Sequence, residues 1–322
     1  MTQTAYEVLT YYQVRKTKMQ KRTFAQYVGQ KAMENGYPAT VEKGSYQSEN
    51  IVVGNVDTAK VIYTAHYDTC PVLPFPNFIT PKNFGLYLLY QIALTVAILV
   101  TVFTLDFILG FAVGFFGAMI GTLEESILVS VSTLLSTGVW IAVLVLLMCG
   151  PANKHTVNDN TSGVITLLDT MAAMPEELRS QVAFVFFDLE EMGLIGSSSF
   201  AARHKAVLKN KLVVNFDCVS DGETVLLAVK KKARAYLPML KRAFTDDENV
   251  TVDVATKGVF YPSDQMKMPC GVGVAALKKT KSGILYMDRI HTRRDVIFRE
   301  ENIKYLTNAS IKLLNLFFEN NQ

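Results

Sequence analysis

The stretch Val182-Ala-Phe-Val-Phe-Phe-Asp-Leu-Glu-Glu-Met-Gly193 decides the fold. Six apolar residues in a row, rich in Val and Phe, describe a strand with no solvent face, as found inside parallel sheets. The run stops at Asp188, and two adjacent acids, Glu190 and Glu191, follow just past its C-terminal end. Runs of the same character recur at 61–65, 212–216 and 271–277. Between them lie segments of helical spacing: 24–33 through Phe24, Tyr27, Val28 and Met33, then 163–173 and 197–206. The last, 303–318, keeps a 3.6-residue period through Leu306, Ile311, Leu314 and Phe317. Strands alternating with helices imply an α/β domain whose mostly parallel sheet is covered on both faces.

The strand ends carry the chemistry. His66, Glu190, Glu191 and Asp217 all fall at or just past the C-terminal end of a predicted strand, the edge where open α/β sheets bind ligands. Asp159 in Asn158-Asp-Asn-Thr-Ser-Gly163 and His291 in His291-Thr-Arg-Arg-Asp295 complete the set. Each motif alone has a plain structural explanation: a helix cap for the Asn158 loop, a helix start for Glu190-Glu191, a turn for Asp217. Jointly they supply what a hydrolytic metal site needs, imidazoles and carboxylates with spare acids beside them. Two ions about 3.5–4 Å apart require one bridging carboxylate, further ligands on each ion and a separate acid to handle protons. His155 and His204 lie in no motif and read as structural.

An apolar insert separates His66 from Asp159. Residues 83–153 contain no Lys or Arg, and their only charges are Asp106, Glu124 and Glu125. Blocks 84–105 and 126–149 would span roughly 33 and 36 Å as helices, enough for a ~30 Å hydrocarbon core. The middle block, 107–123, sits at the short limit and carries Gly110, Gly114, Gly117 and Gly121. A chain that leaves and returns on the side of one site crosses the bilayer an even number of times. The expectation is therefore a hairpin of the first and third blocks, with the middle block re-entrant or interfacial and Asp106 a loop acid outside the hydrocarbon. Lys82 and Lys154 flank the hairpin, while its far side is acidic, which places the soluble part in the cytoplasm.

The net charge of +3 over 322 residues gives no case for nucleic-acid binding. Cys70, Cys149, Cys218 and Cys270 form neither a close-spaced metal pair nor a disulfide framework, and free thiols suit a reducing compartment. No continuous apolar core marks a signal peptide in the first 30 residues, where Arg15, Lys16, Lys18, Lys21 and Arg22 fall instead. That basic cluster reads as a solvated helix face.

The set Ala65-His-Tyr-Asp68, Asn158-Asp-Asn-Thr-Ser-Gly163, Phe187-Asp-Leu-Glu-Glu-Met-Gly193, Asn215-Phe-Asp217 and His291-Thr-Arg-Arg-Asp295 resembles metallopeptidase family 28, in order and over nearly all of the soluble part. Tyr261-Pro-Ser-Asp-Gln265 resembles a further motif, with Gln265 where His is usual. The resemblance implies a doubly wound α/β fold of the zinc exopeptidase type and two zinc ions as cofactors. It implies that His66 and Asp217 hold one zinc, that Glu191 and His291 hold the other, and that Asp159 bridges them. Glu190 would be the general base and Asp68 would accept the second N–H of His66. Tyr261 would hydrogen-bond the substrate carbonyl or its oxyanion.

The expectation is a membrane-anchored metalloaminopeptidase acting on peptides. A discontinuous zinc peptidase domain of residues 1–81 and 152–322 carries an inserted transmembrane hairpin of residues 82–151. Its partners are peptide substrates and the lipid bilayer, with no nucleic acid. Carboxypeptidase action or glutaminyl cyclisation on the same scaffold is the alternative chemistry, and a non-catalytic membrane scaffold the alternative class. A spare acid at Glu190 argues against the scaffold. Ligand types alone do not separate zinc from cobalt or manganese.

Overall fold

The computed structural model describes residues 1–121 and 124–319. The last two positions of the 107–123 block and the final three of the chain lie outside the described residues. The chain divides into two compact units, Met1–Phe84 with Ala152–Gln322, and Gly85–Pro151.

In the first unit, the strands are β1 (Ala39–Lys43), β2 (Glu49–Gly54), β3 (Val61–His66), β4 (Val182–Phe187), β5 (Leu212–Phe216), β6 (Thr224–Val229), β7 (Thr251–Ala255), β8 (Cys270–Lys279) and β9 (Leu285–Tyr286). They form one sheet in the order β1-β2-β4-β3-β5-β8-β6-β7, with β9 on β8. The centre, β4-β3-β5-β8, is parallel. Its flanks reverse, since β2 runs antiparallel to β4 and β6 antiparallel to β8. β1 also pairs antiparallel with β2, because a turn of only five residues joins them and a parallel pairing would need a crossover.

The central strands are apolar on both faces because both are covered. Val182, Phe184 and Phe186 of β4 enter one core, while Ala183, Val185 and Phe187 enter the other. The larger core takes α1 (Gln3–Tyr11), α2 (Lys18–Glu34) and, after the insert helices α3 (Phe84–Ile120) and α4 (Glu125–Cys149), also α5 (Gly163–Ala173). The smaller core takes α6 (Ile195–Arg203) and α7 (Lys205–Leu208) through Phe200 and Leu208. Returning to the larger core, α8 (Leu237–Ala243) packs on α9 (Glu300–Glu319), whose Ile303, Leu306, Leu313 and Leu314 face inward. A capping box at Thr17 and Gln20 starts α2, six residues before the first position its apolar spacing marks. The expected 197–206 helix breaks at His204 into α6 and α7.

The second unit consists of α3 and α4. The expected re-entrant middle block does not form: α3 runs unbroken for 37 residues through Asp106, Gly110, Gly114 and Gly117. Glycine costs a helix about 1 kcal/mol per residue, which the surrounding unbroken run of helix formers offsets, and no proline intervenes. The helix ends where Gly121 adopts φ +67° and its N–H returns to the Gly117 carbonyl at 3.0 Å, a left-handed glycine cap. Asp106 is likewise not a loop acid. It lies inside α3 and accepts a hydrogen bond from Trp140 Nε1 of α4 at 3.1 Å. Phe103 meets the same indole edge-on, and Gly117 lies against Leu128, so the helices run antiparallel. Both are long and apolar enough to cross a membrane. Their large side chains are outward-facing, with Phe107 77% and Leu134 73% exposed.

Candidate metal centre

Three adjacent parallel strands deliver their ends to one edge of the sheet. β3 ends on His66, β4 on Phe187 just before the acid turn, and β5 on Phe216 just before Asp217. Asp159 arrives on the irregular turn Val157–Ser162 that leads into α5. That turn is tied down on several sides. Asn160 Nδ2 donates to the Phe216 carbonyl at 2.9 Å, and Asn158 Oδ1 accepts the backbone N–H groups of Ser220 and Asp221 at 2.7 and 3.0 Å. The Asp295 carboxylate accepts the N–H groups of Asn158 and Asp159 at 2.7 and 3.0 Å, linking the turn to the His291 loop.

The six predicted residues converge. Asp159 presents one oxygen to each histidine: Oδ1 lies 3.2 Å from His66 Nε2 and Oδ2 lies 3.0 Å from His291 Nε2. Asp217 Oδ1 is 3.5 Å from His66 Nε2, and Glu191 Oε2 is 3.3 Å from His291 Nε2. His66, Glu190 and Glu191 also place donor atoms within 4.8 Å of one another, as do His66, Asp159 and Asp217.

His66 Nδ1 faces the backbone carbonyl of Asp68 at 3.2 Å, whereas the Asp68 carboxylate stands at 3.6 Å, beyond hydrogen-bond range. A carbonyl only accepts, so Nδ1 carries a proton and Nε2 is the ring atom turned toward two carboxylates. Without a metal a proton on Nε2 bridges those contacts, and a cation ligated by Nε2 and the carboxylates would take that proton's place. At His291, Nε2 likewise stands between Asp159 and Glu191, and the other Glu191 oxygen, Oε1, is buried with no hydrogen-bond partner. The donor set, neutral imidazole and carboxylate, therefore fits zinc.

Without a metal, the surrounding acids draw protons onto both imidazoles. Burial opposes a charged His66, yet Glu190, Asp159 and Asp217 raise its pKa well above the usual value. His291 is pushed up to about 9, burial being outweighed by Glu191 and Asp159. Burial raises Glu190 well above the carboxylate range, and takes Glu191 and Asp264 to about 7. Asp295 rises to about 8 through burial and the neighbouring Asp159 charge. These upward shifts, of acids and imidazoles together, follow from packing this many titratable groups at one buried sheet edge. Backbone strain gathers there too: Leu189, Cys218 and His291 have φ of +54°, +56° and +64°, a region costly for side-chain-bearing residues.

Two predicted roles change. The Asp68 carboxylate accepts the backbone N–H groups of Glu190 and Glu191 at 3.0 and 3.2 Å, so it holds the acid turn, and its backbone carbonyl holds the imidazole. The Tyr261 hydroxyl is engaged within the protein. Its one O–H donates to the Asp217 carbonyl at 2.9 Å and the side chain is buried. The basic cluster of residues 15–22 is also not simply a solvated face. Arg15 is wholly buried, and Lys21 pairs with Asp188 at 2.7 Å.

The sequence reading assigned no role to Asp295, although it stands in the quoted His291 motif. It also gave none to Cys70, whose thiol lies with Glu191 and His291 in a third group of donor atoms within 4.8 Å. Cys70 carries no periodic or motif signal that could have placed it there.

A model of the family described as Peptidase family M28 matches residues 142–314. Among curated proteins no sequence matches the chain. Solved structures of similar fold include the LapA aminopeptidase of Legionella pneumophila, at 14% identity and TM-score 0.54 over 97% of this chain and 69% of that one. A Zn-dependent exopeptidase from Parabacteroides distasonis has 13% identity and TM-score 0.55, covering 97% of this chain and 96% of its own. The glutaminyl cyclase of Porphyromonas gingivalis has 14% identity and TM-score 0.53, covering 98% and 97%. At such identities the likeness is one of fold.

Proposed function

Because this chain belongs to peptidase family M28, whose model matches more than half of its length, we propose that it is a membrane-anchored, zinc-dependent aminopeptidase that removes N-terminal residues from peptides. The observation that carries this reading is Asp159, whose two oxygens face the Nε2 atoms of two different histidines at 3.2 and 3.0 Å. His66 and Asp217 would hold one ion, Glu191 and His291 the second, and Asp159 both. Zinc, when bound, polarises the scissile carbonyl and makes water acidic enough to attack near neutral pH.

The remaining work falls to protein groups. Glu190 lies beside the ligands, with a donor atom within 4.8 Å of one on His66 and one on Glu191. It acts as base in its carboxylate form, which nearby cations favour against burial. It takes a proton from the attacking water as the oxygen–carbon bond forms. It returns that proton to the departing amine as the carbon–nitrogen bond breaks. Asp68 fixes the turn on which Glu190 sits, and Tyr261 fixes the carbonyl of Asp217.

Membrane anchoring rests on α3 and α4, whose apolar side chains face outward and would otherwise leave a large apolar surface in water. Both ends of the insert belong to the first unit, where Pro71 pairs with Ala152, so an even number of crossings fits. Lys82 and Lys154 on the flanks favour a cytoplasmic catalytic unit.

Detergent-purified protein and its Glu190→Gln variant, assayed on aminoacyl-fluorophores and their N-acetylated counterparts, test the reaction. Hydrolysis confined to free N-termini and lost in the variant is expected. Release of C-terminal residues from N-acetylated peptides with free carboxylates would instead point to carboxypeptidase action, and release of cyclised glutaminyl product to cyclase chemistry.

A further inference from the structure

Arg15 is the least expected side chain in the first unit, a guanidinium with 0% exposure. Its donors are spent on neutral oxygens. Nε donates to the Tyr67 carbonyl at 2.5 Å, and Nη1 to the carbonyls of Tyr12 at 2.5 Å and Gln13 at 3.2 Å. Nη1 and Nη2 both reach Thr161 Oγ1 at 3.2 Å, and the cation lies 5.3 Å from the centre of the Phe24 ring. The Arg15 backbone N–H donates to Thr69 Oγ1 at 3.1 Å. No carboxylate lies within ion-pair distance of it. Burial lowers the guanidinium to about 10, opposed by the charges of Asp68 and Asp159, so it stays cationic at neutral pH.

Burying an unpaired charge is unfavourable unless other charges or dipoles compensate it. Here the partner is the acid cluster as a whole. Tyr67 stands between His66 and Asp68, and Thr161 is two residues past Asp159. One rigid fork therefore spans the two segments whose relative position sets the distance between His66 and Asp159. The chain around it repeats the link: Thr156 Oγ1 donates to the Gln13 carbonyl at 2.7 Å and lies 3.3 Å from Thr161 Oγ1.

We propose that Arg15 is a positioning residue of the metal centre, clamping the His66–Asp68 segment to the Asp159 turn and supplying fixed positive charge behind the acids. The inference rests on the metal-site reading above. It extends that reading to a residue that touches neither ion nor substrate.

The test is zinc affinity, measured by competition with a chromophoric chelator on full-length protein carrying Arg15→Lys or Thr161→Val. Lysine keeps the charge but not the fork, and valine keeps the arginine but removes its acceptor. Both variants should bind zinc about tenfold or more weakly, as loss of groups that orient ligands does elsewhere. Turnover number should fall while KM stays within twofold. Wild-type zinc affinity in both variants, with only a lowered melting temperature, would overturn the proposal and leave Arg15 a stabilising residue. If Arg15→Lys fails to fold, Thr161→Val decides alone. Wild-type protein that binds no zinc would instead sink the metal-site reading, a separable result.

Discussion

Glu190 and Glu191 are adjacent in sequence and take different tasks because of what surrounds each. Glu191 Oε2 is 3.3 Å from His291, while Glu190 is held by no histidine at ion-pair distance and burial raises its pKa. Glu190→Gln should lower turnover by roughly 10²–10⁴-fold with zinc content unchanged, which metal analysis of the same sample checks. Tyr261 supplies a contrasting case. If its hydroxyl serves the Asp217 carbonyl, Tyr261→Phe should cost about 1–3 kcal/mol of stability, the price of an unpaired buried carbonyl, and leave KM within twofold. A large rise in KM with unchanged stability would instead return Tyr261 to the substrate. Residue types and order were enough to single out His66, Asp159, Glu190, Glu191, Asp217 and His291 as candidates, and the fold brings them to one sheet edge. The roles of Asp68 and Tyr261 were not legible, because which atom of a residue meets which neighbour depends on backbone path. Arg15 was misread because a lone basic residue near other basic residues carries no mark of burial.

At the level of elements, the central strands β3, β4, β5 and β8 were legible because burial on both faces leaves an uninterrupted apolar signature. β1 was not, since it is a largely exposed edge strand carrying Glu42 and Lys43. β6 is as apolar as its neighbours, yet no motif pointed to it. In the insert, three acids were taken as boundaries, whereas a single Asp106 partnered by Trp140 does not interrupt a helix. Gly117→Leu should force α3 away from Leu128, visible as weakened protection of the α3 amides in hydrogen exchange, and leave activity in detergent unchanged. A titration belongs here as well. Asp169 of α5, which accepts the Thr2 hydroxyl, has its pKa raised by burial from 3.8 to about 6. Between those values the folded protein binds the extra proton, so this contribution to stability is fullest below pH 4 and is lost as pH rises through 6. Asp169→Asn should therefore raise thermal stability at pH 7.5 by about 1–3 kcal/mol and change it little at pH 4. Equal effects at both values would refute the shift.

For the molecule as a whole, two units of opposite character are joined in one chain, an α/β unit with a dense acid centre and a helical pair with apolar side chains turned outward. In the membrane-anchored reading, protease added outside intact cells should leave the C-terminal region whole, and permeabilised cells should lose it. Cleavage in intact cells would reverse the proposed orientation. The central claim, that Asp159 is shared by two ions, is tested most directly by counting zinc. Metal analysis of purified wild-type protein should give two zinc ions per chain, and of Asp159→Asn fewer than one. Two zincs retained in that variant, or none in the wild type, would contradict it.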